Sequence, residues 1–438
     1  FVHSSNKTEK KSTALKWDKL SLSYYLSNKS KITFNRLLRL ILQKFRKPEV
    51  GIMGSHFRSQ FLDELAVRSR GKINEINWEN FIPEYDVNNY NFEKRESLTK
   101  FLIKNNGSND DFDRYFFSSI QYCLPKIYIE NFQITYDHIT NQLQNYPKLR
   151  FVTSEAWIGD TFMSFSLACM KNNGIQHINN EHNFISHIVL KTDIALIAEL
   201  SDYFVTLGWY DKKIPNIIKG ASLFDWGYDN KLNKKKDITV LFILYSAVVK
   251  AHQYKPSYQA TAENGCRYNK FVKTFFINLS KASISKVFIR PLPEDINKRW
   301  IVSNQLSFLK SLPVKGYDDC EFSAKHMMSR SRLVIISLIS TSWLEALIMN
   351  IPTIVFYNKA TYFLQEKYQY YFDELIAVGI FQTDPNKAAR FVEEISENPE
   401  DWWRNENVQK AKNNFLHNNI GDPSVLIDFL LILSKKAI

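Results

Sequence analysis

Residues 332–358 read RLVIISLISTSWLEALIMNIPTIVFYN, and few folds have a place for such a segment. Two short, almost unbroken apolar runs flank a Ser/Thr-rich turn, a short helical stretch and Pro352. A strand that is apolar on both sides must be covered on both faces, which is the position of a central strand in a parallel sheet. A strand, a helix and a second strand of this kind predict an α/β fold.

The same texture recurs along the chain. Strands are predicted at Arg150–Thr153, Ile175–Asn179 and Tyr203–Leu207, with a helical stretch from Ala156 to Lys171. A second series follows at Ile238–Leu244, Lys286–Ile289, Leu333–Ser337 and Thr353–Phe356. Between the two series, Gly220–Lys236 holds two glycines and the run Lys234-Lys235-Lys236, and reads as a linker. At 438 residues the chain exceeds one ordinary core. The expected architecture is therefore two Rossmann-like parallel-sheet domains, with extra helices at the N-terminal and C-terminal ends. The divisions expected are residues 1–220, with a Rossmann-like core from about 150, a linker at 221–237, a second domain at 238–400 and C-terminal helices at 401–438. Residues 50–148 read as mainly helical and linker-like.

Composition narrows the function classes. Hydrophobic residues make up 45% and charged residues 23%, the balance of a globular protein. No apolar run is long enough for a transmembrane helix, and residues 1–11 lack the order of a secretory signal. Four scattered cysteines without a CxxC pair suit a reducing cytoplasm and are expected to be buried thiols. A net charge of +12 favours anionic partners, namely nucleic acid, anionic lipid or phosphorylated substrates. No nucleic-acid-binding motif accompanies the charge, so nucleic acid is not expected. Within Lys29–Lys47, apolar residues recur at helical spacing beside Lys31, Arg36, Arg39, Lys44 and Arg46. Such a helix suits either a membrane surface or a domain helix with a solvated basic face.

The candidate site residues sit where strands end. Ser337, Ser340, Thr341 and Ser342 lie at a strand's carboxyl end and a helix's N-terminus, where free N–H groups and hydroxyls can hold a phosphate. Glu345, one turn on, could accept hydrogen bonds from ribose hydroxyls, or simply favour the helix dipole. Arg290 follows a strand and could grip a phosphate or carboxylate through paired hydrogen bonds. Glu155 follows another strand, suited to proton transfer or to capping. His182, in the cluster Glu181-His182-Asn183, could bind acceptor hydroxyls; His177 and His187 read as structural. No metal site can be assembled from these residues.

The strand, STSWLEAL and NIPTIVFYN, together with TSEAWIGD (153–160), NNEHNF (179–184), YFVTLGWYDKKIP (203–215) and IRPLPEDINKRW (289–300), resemble bacterial O-antigen- and capsule-locus glycosyltransferases of the GT-B fold. The resemblance is nearest to the retaining Kdo transferases that use CMP-activated ulosonic acids. It implies a GT-B-like pair of domains facing a cleft, the first on the acceptor side and the second binding the nucleotide sugar through Arg290, Ser340, Thr341, Ser342 and Glu345. It also implies transfer of an ulosonic acid, Kdo in particular, from a CMP-sugar co-substrate to a surface-polysaccharide acceptor, without cofactor or metal. In those transferases an aspartate attacks the anomeric carbon, which makes Asp229, or else Asp225, the candidate nucleophile, with Glu155 and His182 toward the acceptor. A lipid-linked glycan acceptor implies work in the cytoplasm at the inner face of the inner membrane, beside anionic lipid. A UDP- or CDP-linked donor, or a non-catalytic glycan- or nucleotide-binding module, stand as alternatives.

Overall fold

The computed structural model describes residues 34–53, 59–84, 88–106, 110–155, 160–181, 188, 194–220, 236–245, 262–291, 308–360 and 364–435. Twelve strands among them form two six-stranded sheets, every neighbouring pair parallel. The strands are β1 (Val50–Ile52), β2 (Ile73–Glu75), β3 (Phe151–Glu155), β4 (Gln176–Asn180), β5 (Tyr203–Val205), β6 (Ile217–Ile218), β7 (Ile238–Ile243), β8 (Val287–Arg290), β9 (Gly316–Tyr317), β10 (Ser331–Ile336), β11 (Thr353–Phe356) and β12 (Phe381–Gln382). The helices of six or more residues are α1 (34–45), α2 (Ser59–Arg68), α3 (Phe92–Asn106), α4 (Asp111–Cys123), α5 (Phe132–Leu143), α6 (Thr161–Asn172), α7 (Ile194–Leu200), α8 (Ala262–Ile277), α9 (Ala324–Ser329), α10 (Thr341–Ile348), α11 (Glu366–Ala377), α12 (Pro385–Ile395), α13 (Pro399–Arg404), α14 (Glu406–Asn419) and α15 (Pro423–Leu433).

The first sheet runs β2-β1-β3-β4-β5-β6 and the second β12-β11-β10-β7-β8-β9. Both are doubly wound. In each, the chain turns one way and then the other, at β1/β3 in the first sheet and at β7/β10 in the second. Doubly wound sheets bind ligands beyond the carboxyl ends of the strands at such switch points. The GT-B-like α/β class expected from the sequence is the one found.

Each sheet is sandwiched. On one face of the first sheet Val50, Ile52, Phe151 and Ile178 meet α2 through Phe61 and Leu65, and α15 through Leu426, Ile427 and Leu430. On the other face, Val152 and Met53 pack with Ile139 of α5 and with Met163, Phe165 and Met170 of α6. The last helix of the described chain thus completes the core of the first sheet. The second sheet's core is a single cluster around Val240, Leu241, Phe242, Val334 and Ile335. Trp343 of α10 is fully buried in it, with ring centroids 5.2 Å from Phe381 and 5.0 Å from Phe415.

Four expectations change. The stretch expected to be mainly helical and linker-like contains β1 and β2, and β1 sits at the first sheet's switch point. Three-residue strands such as these carry no readable period, and only their ladders, β2 with β1 and β1 with β3, define them. The two-residue strands β6, β9 and β12 escaped the reading for the same reason. The cysteines are not uniformly buried: Cys169 is, its thiol pushed up to about 11 by burial, whereas Cys123 and Cys266 are exposed. Finally, α1 does not present a purely basic face to solvent. Arg39 turns inward to Asp63 at 2.9 Å and Glu75 at 2.6 Å, while Phe34, Leu37, Ile41 and Phe45 face out.

Candidate active site

At the second sheet's switch point, strand pairing carries on past the formal strand ends, with Ser337 N donating to the Ile243 carbonyl at 3.1 Å. Three groups then close a compact knot. The Tyr245 backbone N–H lies 2.9 Å from the Tyr268 hydroxyl and 3.0 Å from Ser337 Oγ, and these two oxygens are 2.8 Å apart. The knot fixes the ends of β7 and β10 and so the direction in which the next turn leaves the sheet. Ser340 then takes an extended conformation before α10 without making a side-chain cap bond. Ser340, Thr341 and Ser342 are half-exposed there, while Trp343 and Leu344 hold the helix in the core. The result is a rigidly aimed helix N-terminus with hydroxyls around it, a geometry that favours an anion.

Charged side chains flank this turn in pairs. Arg290, the last residue of β8, is buried and ion-paired with buried Asp318, and its other nitrogen donates to the Phe322 carbonyl at 3.0 Å. Glu345 lies 3.4 Å from Nζ of buried Lys325. The helix α9 leads from the carboxyl end of β9 back to the start of β10, so Lys325 in its first turn belongs to the same edge. Sequence reasoning found Arg290 and Glu345 but neither partner. Asp318 follows a two-residue strand that gives no signal in the sequence, and nothing in the sequence around Lys325 marks it out.

In the first sheet, Glu155 ends β3 at the other switch point, beside Met53, whose N–H donates to the Thr153 carbonyl at 2.9 Å. It is 9% exposed and stands opposite Asn180 in the β3–β4 register. Asn180 donates to Thr153 Oγ1, but its own Oδ1 is buried without a hydrogen-bond partner among the described residues. That orphaned acceptor beside a carboxylate is a polar site the sequence reading did not single out. A buried acceptor of this kind gains from a ligand hydroxyl, because leaving it unpaired is costly.

Other histidine and acidic candidates resolve differently. His177 is structural, as expected: its Nε2 lies 2.8 Å from Ser154 Oγ, and burial holds its pKa down to about 4. Glu181 accepts from the Leu207 N–H at 2.9 Å and from Trp209 Nε1 at 2.7 Å, holding the loop after β5. His182, Asp225 and Asp229 lie outside the described residues.

That loop meets the second domain. Asp211 pairs with Lys367 at 3.2 Å, and Gln365 N donates to the Ile188 carbonyl at 2.8 Å. Burial, with the negative charges of Glu181 and Asp211 nearby, raises the Tyr368 hydroxyl's pKa well above its ordinary value. Ile188 and the Asp211 loop follow β4 and β5, and Gln365–Lys367 follow β11. The carboxyl edges of the two sheets therefore face each other.

The model of LIC12162 family transferases matches residues 1–425. The chain belongs to that family. No curated protein sequence matches the transferase. Among solved structures, a UDP-glucosyltransferase from Polygonum tinctorium capable of glucosylating indoxyl aligns at 10% identity and a TM-score of 0.44, covering 90% of this chain and 100% of that one. LpCGTa in complex with UDP aligns at 11% identity and 0.41, covering 89% and 100%. CalG4, the calicheamicin glycosyltransferase, aligns at 9% and 0.38, covering 91% and 93%.

Proposed function

We propose that this transferase is a glycosyltransferase that moves an ulosonic acid, Kdo in the first instance, from a CMP-activated donor to a lipid-linked surface-polysaccharide acceptor. The observation that carries the reading is the uncapped, hydroxyl-lined N-terminus of α10 at the switch point of the second sheet. The CMP phosphate sits against Ser340, Thr341 and Ser342. Lys325 and Glu345 flank it, and Arg290 faces the ulosonate carboxylate from the end of β8. A donor that already carries a good leaving group needs charge neutralisation more than further activation.

Across the facing edges, Glu155 takes the acceptor proton, and Asn180 Oδ1 accepts a hydrogen bond from a second acceptor hydroxyl, with His182 in support. The Asp229 carboxylate bonds to the anomeric carbon as the bond from that carbon to the phosphate oxygen breaks, and CMP leaves with the electron pair. The acceptor oxygen, deprotonated by Glu155, then displaces the aspartate, so the product keeps the donor's configuration. Asp225 is the alternative nucleophile.

Two measurements test this. Thermal-shift titration is expected to show stronger stabilisation by CMP than by UMP or GMP, with Ser342→Ala weakening binding by about 1 kcal/mol. Equal shifts would remove the cytidine assignment, and a larger UMP shift would point to a uridine donor. Intact-protein mass spectrometry after CMP-sugar treatment is expected to show one added sugar on the wild type and none on Asp229→Asn. If Asp225→Asn alone abolishes the adduct, the nucleophile is Asp225; an inverted product rules out double displacement altogether.

A further inference from the structure

The helix α1 is built inside out for a domain helix. Its inward side is anchored by a charge: Arg39, buried, clasps Asp63 of α2 and Glu75 of β2, while Leu42 lies beside it against Gly71. Its outward stripe is apolar, with Phe34 64%, Leu37 55%, Ile41 45% and Phe45 78% exposed. These four fall along one side of the helix, separated by three or four residues at each step. Arg36, Lys44 and Lys47 are exposed at the margins, and residues 34–48 contain five basic side chains and no carboxylate.

From this arrangement we infer that α1 is a docking helix for an anionic lipid surface, its apolar stripe entering the acyl boundary while its basic margins meet the headgroups. Water-exposed phenylalanines on an amphipathic helix gain free energy on entering lipid, and the gain adds to the attraction between cationic margins and anionic headgroups. Charge selects this occupant over the others. A second copy would bring the same acid-free basic helix against itself. The preceding residues 1–33 carry seven lysines against Glu9 and Asp18, so they too repel this surface. An anionic bilayer supplies both the opposite charge and an apolar interior. The buried ion pairs of Arg39 serve to fix the orientation, since they hold one side of α1 to the first domain and leave the stripe outward.

The test is sedimentation of the full chain with phosphatidylcholine vesicles, with and without phosphatidylglycerol. Binding is expected with the anionic vesicles at low salt, reduced at high salt as exposed charges are screened, and slight with phosphatidylcholine alone. The double change Phe34→Ser and Phe45→Ser is expected to lower partitioning about tenfold at fixed salt, with the melting temperature unchanged. Undiminished partitioning of that variant, or no binding at low salt, would overturn the inference. A lower melting temperature would instead assign the stripe to a cover formed by residues 1–33. A change in oligomeric state on substitution would assign it to a second copy. Vesicle binding needs neither donor nor acceptor, so its failure leaves the proposed sugar transfer untouched, and the reverse holds too.

Discussion

Arg290 shows how one side chain can serve two masters at a strand end. Its side chain is 6% exposed and that of Asp318 3%, so each charge depends on the other. Removing one member of a buried pair strands the remaining charge and costs about 3–5 kcal/mol, whereas replacing both with apolar groups is often neutral. Asp318→Asn is therefore expected to lower stability by about 3 kcal/mol, and Arg290→Met combined with Asp318→Leu to recover most of it. The stable double variant then isolates function: if Arg290 holds the donor's carboxylate or phosphate, calorimetry will show donor affinity lost in a protein with a near-normal melting temperature. Unchanged affinity would confine Arg290 to the fold. The position of Arg290 was legible in the sequence because it directly follows an apolar run. Its partner 28 residues away was not, and neither was the orphaned Oδ1 of Asn180, since a missing hydrogen bond leaves no trace in a string of letters.

Among the elements, α10 links the core to the candidate phosphate site. Trp343 and Leu344 are fully buried two and three residues into a helix whose first turn carries the hydroxyls. Trp343→Ala is expected to cost about 3–5 kcal/mol by leaving a cavity among Phe372, Phe381 and Phe415. It should also weaken nucleotide binding more than the milder Trp343→Phe, because the helix N-terminus loses its aim; denaturant unfolding and CMP titration of both variants check this. The segment that holds α10 was readable because two buried strands and a helix all fit within its residues. The strands of Val50-Gly51-Ile52 and Ile73-Asn74-Glu75 were not, because three residues with a glycine or an asparagine at the centre fit a loop equally well. Periodicity likewise gave α1 its helix but not its orientation. Turning Arg39 inward needs Asp63 and Glu75 in place, and those arrive from elsewhere in the chain.

At the scale of the whole molecule, the described residues lie on both sides of two crossings between the domains, and the two crossings touch. One leaves the first sheet at Gly220 and the other returns at Gly421, whose N–H donates to the Leu207 carbonyl at 3.0 Å. A Cβ on Gly421 would overlap the Gly220 carbonyl oxygen, and one on Gly208, which has φ of +137°, would overlap the Gly421 nitrogen. Backbones this close admit no side chain, so Gly421→Ala is expected to cost about 1–3 kcal/mol in urea unfolding. Because the residue sits where the two crossings touch, probes in either sheet should report the loss together; a shift seen in only one sheet would mean that the crossings move independently. The returning crossing delivers α15, whose Leu426, Ile427 and Leu430 finish one face of a sheet begun at Val50. A ribosome makes the amino end first, so that sheet emerges with an open apolar flank and must wait through the synthesis of the entire second domain. The first half of the chain thus keeps part of its core open to water until nearly the last of the residues described here has been translated.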